Sequence, residues 1–333
     1  MGFNSIMNKT HFLCLLISTL LISCVDSSTK SQFESSGKLN TLSVIIDDDL
    51  WNGEVGDSIR NKFASPVLGL PYEEPLFSIN QYPVKLLEGF MNNSRNIIIV
   101  KKQNKSQFSI EESETANKQI IARFSARTVQ ELLDSIQKNS SLLVQKIKRS
   151  EIDLFQKFIK TQPLTSTKEL KNKFSISLSI PSRYKLMLTG NKFVWYKKEI
   201  TSGNLSLLCY QIPIKSVTDN ESVTARITKI RDSIGSLYIH GAVPKTKMIT
   251  EPAFAPYLSK TEIYGKLAFE TKGNWELTHD FMAGPFINYA IIDNANQRIL
   301  VLEGFCYAPS KQKRDLLFEL EAIIKSIIFL KKK

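Results

Sequence analysis

The sequence predicts an α+β fold: antiparallel sheets with long amphipathic helices packed on one face, in two halves of similar order. Three observations predict it. Short apolar runs bounded by turn residues recur along the chain, two long stretches repeat apolar residues at helical spacing, and the order of strands followed by a long helix occurs twice.

Leu42 to Ile46 reads as a short buried strand stopped by Asp47-Asp48-Asp49, and Asp57 is placed to cap a helix that runs to about Ala64 before Pro66. Gly69 to Pro75 is rich in turn residues, with strands expected at Leu76 to Ile79, Asn96 to Lys101 and Gln119 to Phe124. Thr128 with Glu131 makes a capping box for a helix to about Lys160, with Val129, Leu132, Leu133, Ile136, Leu143, Ile147, Leu154 and Phe158 as its apolar stripe. Strands are then expected at Phe174 to Ile180, Lys192 to Lys198 and Leu205 to Ile212. Val223, Ile227, Ile230, Ile234 and Leu237 mark a second amphipathic helix. Strands near Lys266 to Thr271, Pro285 to Ile292 and Arg298 to Phe305 precede a closing helix from about Ser310 to Leu330, with Lys331 to Lys333 at its negative end.

The N-terminal segment has a different character. Phe12 to Ile22 is an uncharged apolar stretch of eleven residues, the length of a signal-peptide core and short of the ~20 needed to span a bilayer. It ends in Leu21-Ile22-Ser23-Cys24, which resembles the lipobox of bacterial lipoproteins: a branched residue, a small residue, then a thiol to be acylated with palmitate-type chains. Val25 to Lys38 is rich in Ser, Thr and Gln and has the composition of a tether. The expected organisation is a signal peptide over residues 1–23, a tether over 24–38, and two α+β halves over 39–163 and 164–333, carried in the cell envelope at the outer membrane, on its periplasmic or its surface side, by lipid on Cys24.

The chain carries a net charge of +12, densest at Lys146, Lys148 and Arg149, at Lys311, Lys313 and Arg314, and at Lys331 to Lys333. Export argues against nucleic acid as the partner. The clusters read either as solvated helix faces or as contacts to anionic lipid. Of the four cysteines, Cys14 leaves with the signal and Cys24 takes the lipid. For Cys209 and Cys306 in apolar strand-like runs, a disulfide and two buried thiols both stay open.

No phosphate cradle and no histidine- or cysteine-rich metal pattern occurs, so no cofactor and no metal are expected. Asp47 to Asp49 fails the calcium-loop register because Trp51 falls where a ligand is required. Gly56-Asp57-Ser58-Ile59 resembles the nucleophile block of GDS-type hydrolases. The aspartate that should stand three residues before a late histidine is absent, since Glu276 precedes His279 and Leu237 precedes His240. Ser58 with His279, or acidic residues such as the adjacent Glu73 and Glu74, would carry the alternative of an envelope ester or glycan hydrolase; Glu73 and Glu74 otherwise read as a solvated turn. Trp51, Trp195 and Trp275 stand beside Asn52, Tyr196 and Asn274, a pairing of aromatic faces and amides suited to sugars.

Three blocks carry a family resemblance. Trp51-Asn52-Gly53-Glu54-Val55-Gly56-Asp57 runs on to Gly69-Leu70-Pro71-Tyr72-Glu73-Glu74-Pro75-Leu76-Phe77, Asn274-Trp275 leads to Ala283-Gly284-Pro285-Phe286, and Glu303-Gly304-Phe305-Cys306-Tyr307-Ala308-Pro309 precedes a basic helix start. With the lipobox, these resemble a family of uncharacterised Bacteroidetes lipoproteins, the domain of unknown function 4837, from about Leu39 to Ile328. The resemblance implies one continuous envelope unit with no catalytic residues to carry over, and His240-Gly241-Ala242-Val243-Pro244 departs from its pattern of a proline-rich turn with a second glycine. The expectation is therefore a membrane-anchored envelope lipoprotein that binds a protein or glycan or helps to build the envelope, and is not an enzyme.

Overall fold

Ile97, Ile98, Ile99 and Val100 form an unbroken apolar run, and a strand apolar on both sides must be covered on both. In the computed structural model, which describes residues 38–86, 94–112, 119–217 and 222–331, this run is β3 (Asn96–Lys102) at the centre of a five-stranded sheet. The order is β2 (Ser78–Tyr82), β1 (Thr41–Ile45), β3, β5 (Ile120–Ala126), β4 (Gln107–Glu112). The β1–β2, β1–β3 and β3–β5 pairings are parallel and only β4–β5 is antiparallel. This corrects the expectation of antiparallel sheets for the first half. The physical reason is a helical crossover, α1 (Asp48–Trp51) and α2 (Glu54–Phe63), which returns the chain from β1 to β2 in the same direction.

One face of this sheet packs Leu42, Val44, Ile98 and Phe124 against α2 and the first half of α3 (Val129–Thr161); the other buries Ile45, Ile97, Ile99 and Ile121. The Thr128 hydroxyl accepts the Glu131 N–H at 3.2 Å, as expected of the cap, while the Glu131 carboxylate turns to the Arg127 N–H. Helix α3 has 33 residues, about 50 Å at 1.5 Å per residue. Its buried side chains run Leu132, Ile136, Leu143, Ile147 and then Ile152, Phe155, Ile159. The stripe changes register near Glu151, so Leu154 and Phe158 are only half-buried, because the C-terminal third packs into a second core.

That core belongs to an eight-stranded antiparallel sheet in the order β10 (Met248–Thr250), β12 (Lys266–Leu277), β13 (Ala283–Asp293), β14 (Arg298–Tyr307), β9 (Gly203–Pro213), β8 (Phe193–Ile200), β7 (Lys185–Thr189), with β11 (Tyr257–Ile263) also paired to β12. Helices lie on both of its faces rather than on one. Helix α5 (Val223–Tyr238) covers Phe193, Leu208, Phe286 and Val301; helix α6 (Arg314–Ile324), with α4 (Lys168–Phe174) and the end of α3, covers Leu207, Cys209, Tyr289 and Leu302. The strand alternation supplies both apolar faces, and a sheet apolar on two sides takes two helix layers. The halves therefore share the α+β class but not a topology.

Several local expectations shift. Helix α2 starts at Glu54 behind Gly53, not at Asp57, whose carboxylate instead pairs with Arg60 at 2.7 Å. Lys168 to Phe174 is helical because Leu170 and Phe174 are four apart and both buried; Ser175 at φ 53° ends it, leaving only β6 (Ile176–Ser177) of the expected strand. Helix α6 stops at Ile324, and β15 (Ile328–Phe329) pairs with β6. On α5 the buried line is Ile227, Arg231 and Gly235, which turns Leu237 outward.

Cys209 and Cys306 are free and buried. Cys209 faces Leu302 on β14, four residues from Cys306, about 13 Å along a strand and beyond disulfide reach. Burial pushes the Cys306 thiol up to about 12 and that of Cys209 well above the usual thiol range, so both are inert.

Between α6 and the sheet lies a charged cluster. Glu321 accepts Lys325 Nζ at 2.5 Å and the Tyr289 hydroxyl at 3.2 Å, and Glu270 accepts the same hydroxyl at 2.6 Å and pairs with Lys272 at 2.7 Å. Burial alone would raise the Glu321 carboxyl, but Lys325, Lys272 and Lys148 outweigh it and hold it at about 2. An unfolded glutamate titrates near 4.3, so this contribution to stability is complete above roughly pH 5 and is lost as the pH falls towards 2. Acid titration of unfolding should show Glu321→Gln flattening the stability loss between pH 5 and 2 relative to the wild type. A variant with an unchanged acid limb would contradict the assignment.

Candidate functional site

The three tryptophans do not form one aromatic site. Trp51 ends α1, packs on the first core and carries the Arg60 guanidinium 4.5 Å above its ring. Trp195 packs on the core under α5 with its indole N–H buried and unpaired. Trp275 is 2% exposed, stands edge-on to Phe305 at 5.3 Å and donates to the Cys306 carbonyl at 3.2 Å, so no sugar reaches its face. Ser58 lies on α2 in the first half and His279 is exposed in the β12–β13 turn of the second; no hydrogen bond joins them. Asp48 accepts from Gln81 at 3.0 Å and helps to fix the β1–α1 turn. Leu21, Ile22, Ser23 and Cys24 lie outside the described residues.

The reading of Glu73 and Glu74 as a solvated turn is corrected for Glu74. It is buried, and its two carboxylate oxygens accept the backbone N–H groups of Lys313 at 2.7 Å and Arg314 at 2.8 Å. A residue some 240 positions away thus caps α6, where no local side chain does so. The same contact changes the reading of the Lys311, Lys313 and Arg314 cluster. Lys313 is buried, and Arg314 donates to the Pro75 carbonyl at 2.9 Å and to Ser78 Oγ at 3.1 Å.

Beside this cap, where the halves meet, a groove of about 510 Å³ opens, within the size range of small-ligand sites. Its floor is the side of β1 and β2 that carries Thr41, Ser43, Ser78, Asn80 and Tyr82; its inner wall is Ser94, Arg95 and Asn96; its rim is Gln312, Arg314 and Asp315 from the start of α6. Polar residues alternate with Leu42 and Val44 along β1, which is why one side of the strand packs helices and the other faces the groove.

The inner wall is held by a buried charge. Glu151, 1% exposed on α3, accepts Arg95 Nε at 3.1 Å, Arg95 Nη2 at 3.0 Å, Asn96 Nδ2 at 2.6 Å and the Asn40 backbone N–H at 3.2 Å. Asn40 Nδ2 passes the network on to Asp315 at 2.8 Å, and Arg314 pairs with Asp315 as well. The guanidinium groups along the groove are therefore matched by carboxylates. Asn96, 2% exposed, spends its amide N–H₂ on Glu151 and the Thr41 carbonyl, and its Oδ1 has no hydrogen-bond donor. A buried acceptor left unpaired is unfavourable by about 1–3 kcal/mol, a cost that the four hydrogen bonds to Glu151 around it offset. Sequence reasoning missed this set because each member looks like an ordinary polar surface residue; the one local signal was Glu151 interrupting an apolar stripe.

Residues 163–326 match the family described as Domain of unknown function (DUF4837), and residues 35–160 match the one described as Domain of unknown function (DUF8532). No curated protein matches the chain. Among solved structures it is similar to the Ran-binding protein Mog1p of Saccharomyces cerevisiae, at 9% identity over 47% of this chain and 90% of that one, with a TM-score of 0.30, too slight a likeness to bear on function. The resemblance over residues 39–328 thus divides between two families. The blocks in the first of them form one packed layer. Trp275 pairs with Gly284 and Phe286 with Phe305 across the strands, and a Cβ on Gly304 would come within 2.7 Å of Leu320 on α6. Glu303 pairs with Arg231 of α5 at 3.0 Å, and the Arg231 guanidinium lies 3.8 Å over Phe286. These motifs pack the second sheet against the helices on its two faces.

Removing one partner of the wall pair should leave an uncompensated buried charge, a loss of about 3–5 kcal/mol for Arg95→Ala or Glu151→Ala in chemical denaturation. The double variant Arg95→Met/Glu151→Leu should lose clearly less than the sum of the two. Single variants within about 1 kcal/mol of wild type would show that the pair does not hold the wall.

Proposed function

We propose that this chain, whose residues 163–326 belong to the DUF4837 family, is a lipid-anchored lipoprotein of a bacterial envelope, held to the outer membrane through Cys24, and that its body binds an envelope glycan without converting it. The observation that carries the binding reading is a groove of about 510 Å³ lined with hydroxyls and amides beside the buried Arg95–Glu151 pair. Thr41, Ser78, Asn80 and Gln312 offer donors and acceptors together, and the groove's arginines are already matched by Glu151 and Asp315. A polyhydroxyl ligand complements such a lining, with Lys38 as the one cation not matched by these carboxylates.

The anchor is supported by the order of the N-terminal signals: an apolar stretch, the Leu21-Ile22-Ser23-Cys24 motif, then a polar tether. Thirteen residues lie between Cys24 and Lys38, which lines the groove, a tether of at most about 50 Å. Among the described residues no helix is long and apolar enough to cross a membrane.

Two measurements test the proposal. Cys24→Ser should move the protein from the membrane fraction to the soluble fraction of intact cells, and a variant that stays membrane-bound sinks the anchor. For the groove, Asn80→Ala/Gln312→Ala removes two exposed amides. It should weaken binding of the full chain to soluble peptidoglycan or lipopolysaccharide saccharides by about tenfold, with an unchanged Tm. Wild-type affinity in that variant would overturn the site.

A further inference from the structure

The second sheet ends in a tip whose apolar side chains are not covered. Three segments meet there: the end of α5, the loop of residues 240–247, and the turn of residues 278–282 between β12 and β13. They are fastened to one another. The Lys247 N–H donates to Thr278 Oγ1 at 3.0 Å, the Thr278 N–H to the Lys247 carbonyl at 2.9 Å, and the Gly241 N–H to Thr246 Oγ1 at 2.8 Å. A Cβ on Gly241 would lie 2.7 Å from Asp280 Oδ2, so loop and turn touch; His240 Nε2 sits 3.3 Å from the Leu237 carbonyl. On this fixed base stand Phe281, 104% exposed, Leu237 at 62% and Val243 at 47%. Lys245 and Lys247 are exposed beside them. The carboxylate of the tip is Asp280, whose Oδ1 accepts the Phe281 N–H at 2.7 Å and so braces the turn that presents the ring.

We propose that this tip docks the body on an anionic membrane surface, with Phe281, Val243 and Leu237 entering the headgroup region and Lys245 and Lys247 meeting lipid phosphates. Apolar side chains ringed by lysine are the combination that binds bilayer interfaces, and the net charge of +12 steers the chain towards a negative surface. The inference rests on the lipid-anchored reading, because a tether of at most about 50 Å keeps a bilayer always within reach.

The test uses the acylated full chain in vesicles, with Phe281→Cys carrying an environment-sensitive dye, Tyr72→Cys labelled as a control in the first half, and the unsubstituted chain as blank, since Cys209 and Cys306 are buried. On phosphatidylglycerol vesicles the label at 281 should shift to the blue and be quenched by brominated acyl chains, while the label at 72 should not. Lys245→Glu/Lys247→Glu should weaken that insertion by at least about 30-fold. Flotation with the vesicles reports the anchor separately. Protein that floats while its 281 label stays as wet as the label at 72 overturns the docking tip, as does a blue shift that appears without vesicles and grows with protein concentration. Failure to float on neutral vesicles sinks the anchor instead, and the tip is then judged on anionic vesicles alone.

Discussion

A carboxylate in the middle of a helix and 1% exposed is tolerable only if every lone pair is engaged, and Glu151 is engaged by three residues from two other segments. Arg95 and Asn96 arrive from the start of β3, and Asn40 from just before β1, so the leading ends of two parallel strands are fixed to the middle of α3. That is also where the buried stripe of α3 passes from the first core to the second. From Asn40 the network continues to Asp315 at the start of α6, and Glu74 returns from the first half to cap the same helix. One charge, paired across three segments, sets how the two sheets meet.

The groove is a consequence of that arrangement. Its inner wall is the outer side of the Arg95–Glu151 pair, its floor is the polar side of β1 and β2, and its rim is the end of α6 that Glu74 and Asp315 position. With the arginines and carboxylates consumed in holding the halves together, what remains facing outward is hydrogen-bonding capacity with Lys38 at the edge. The second half uses the same device under α5, where Arg231 and Glu303 are buried as a pair and burial raises the Glu303 carboxyl against the pull of Arg231. In both places a charge pair locates a helix on a sheet, and apolar packing supplies the bulk of the stabilising area.

Local signals in the sequence were read well where they were local in cause. The Thr128 cap, the extent of α3, the strands on Ile97 to Val100 and Leu205 to Ile212, and α5 all follow from short-range periodicity. What depended on distant partners was illegible. Glu74 sits in a sequence of turn residues, and only the fold brings the N-terminus of α6 to it. Glu151 and Arg231 look like solvated charges until a strand approaches. The parallel pairings were hinted at by the four-residue apolar run of β3, which needs cover on both sides, but the repeated order of strands followed by a long helix favoured an antiparallel reading. β4 and β7 were missed because Gln107–Glu112 and Lys185–Thr189 are edge strands that bury almost nothing. Of the candidate site, the tryptophan idea followed residue type alone, whereas the groove is made of small polar residues whose only distinction is where the fold gathers them.

The claim at the centre of this account is that α3 and its buried carboxylate make the two family-matched stretches one cooperative body. Hydrogen exchange of the full chain along a denaturant series measures it directly, by comparing amides of α3 around Leu132 to Ile147 with those around Ile152 to Ile159. The account predicts that both stretches, with β3 and β14, open with a single free energy. Separate openings, the first stretch with the five-stranded sheet and the second with the eight-stranded sheet at a different midpoint, would contradict it.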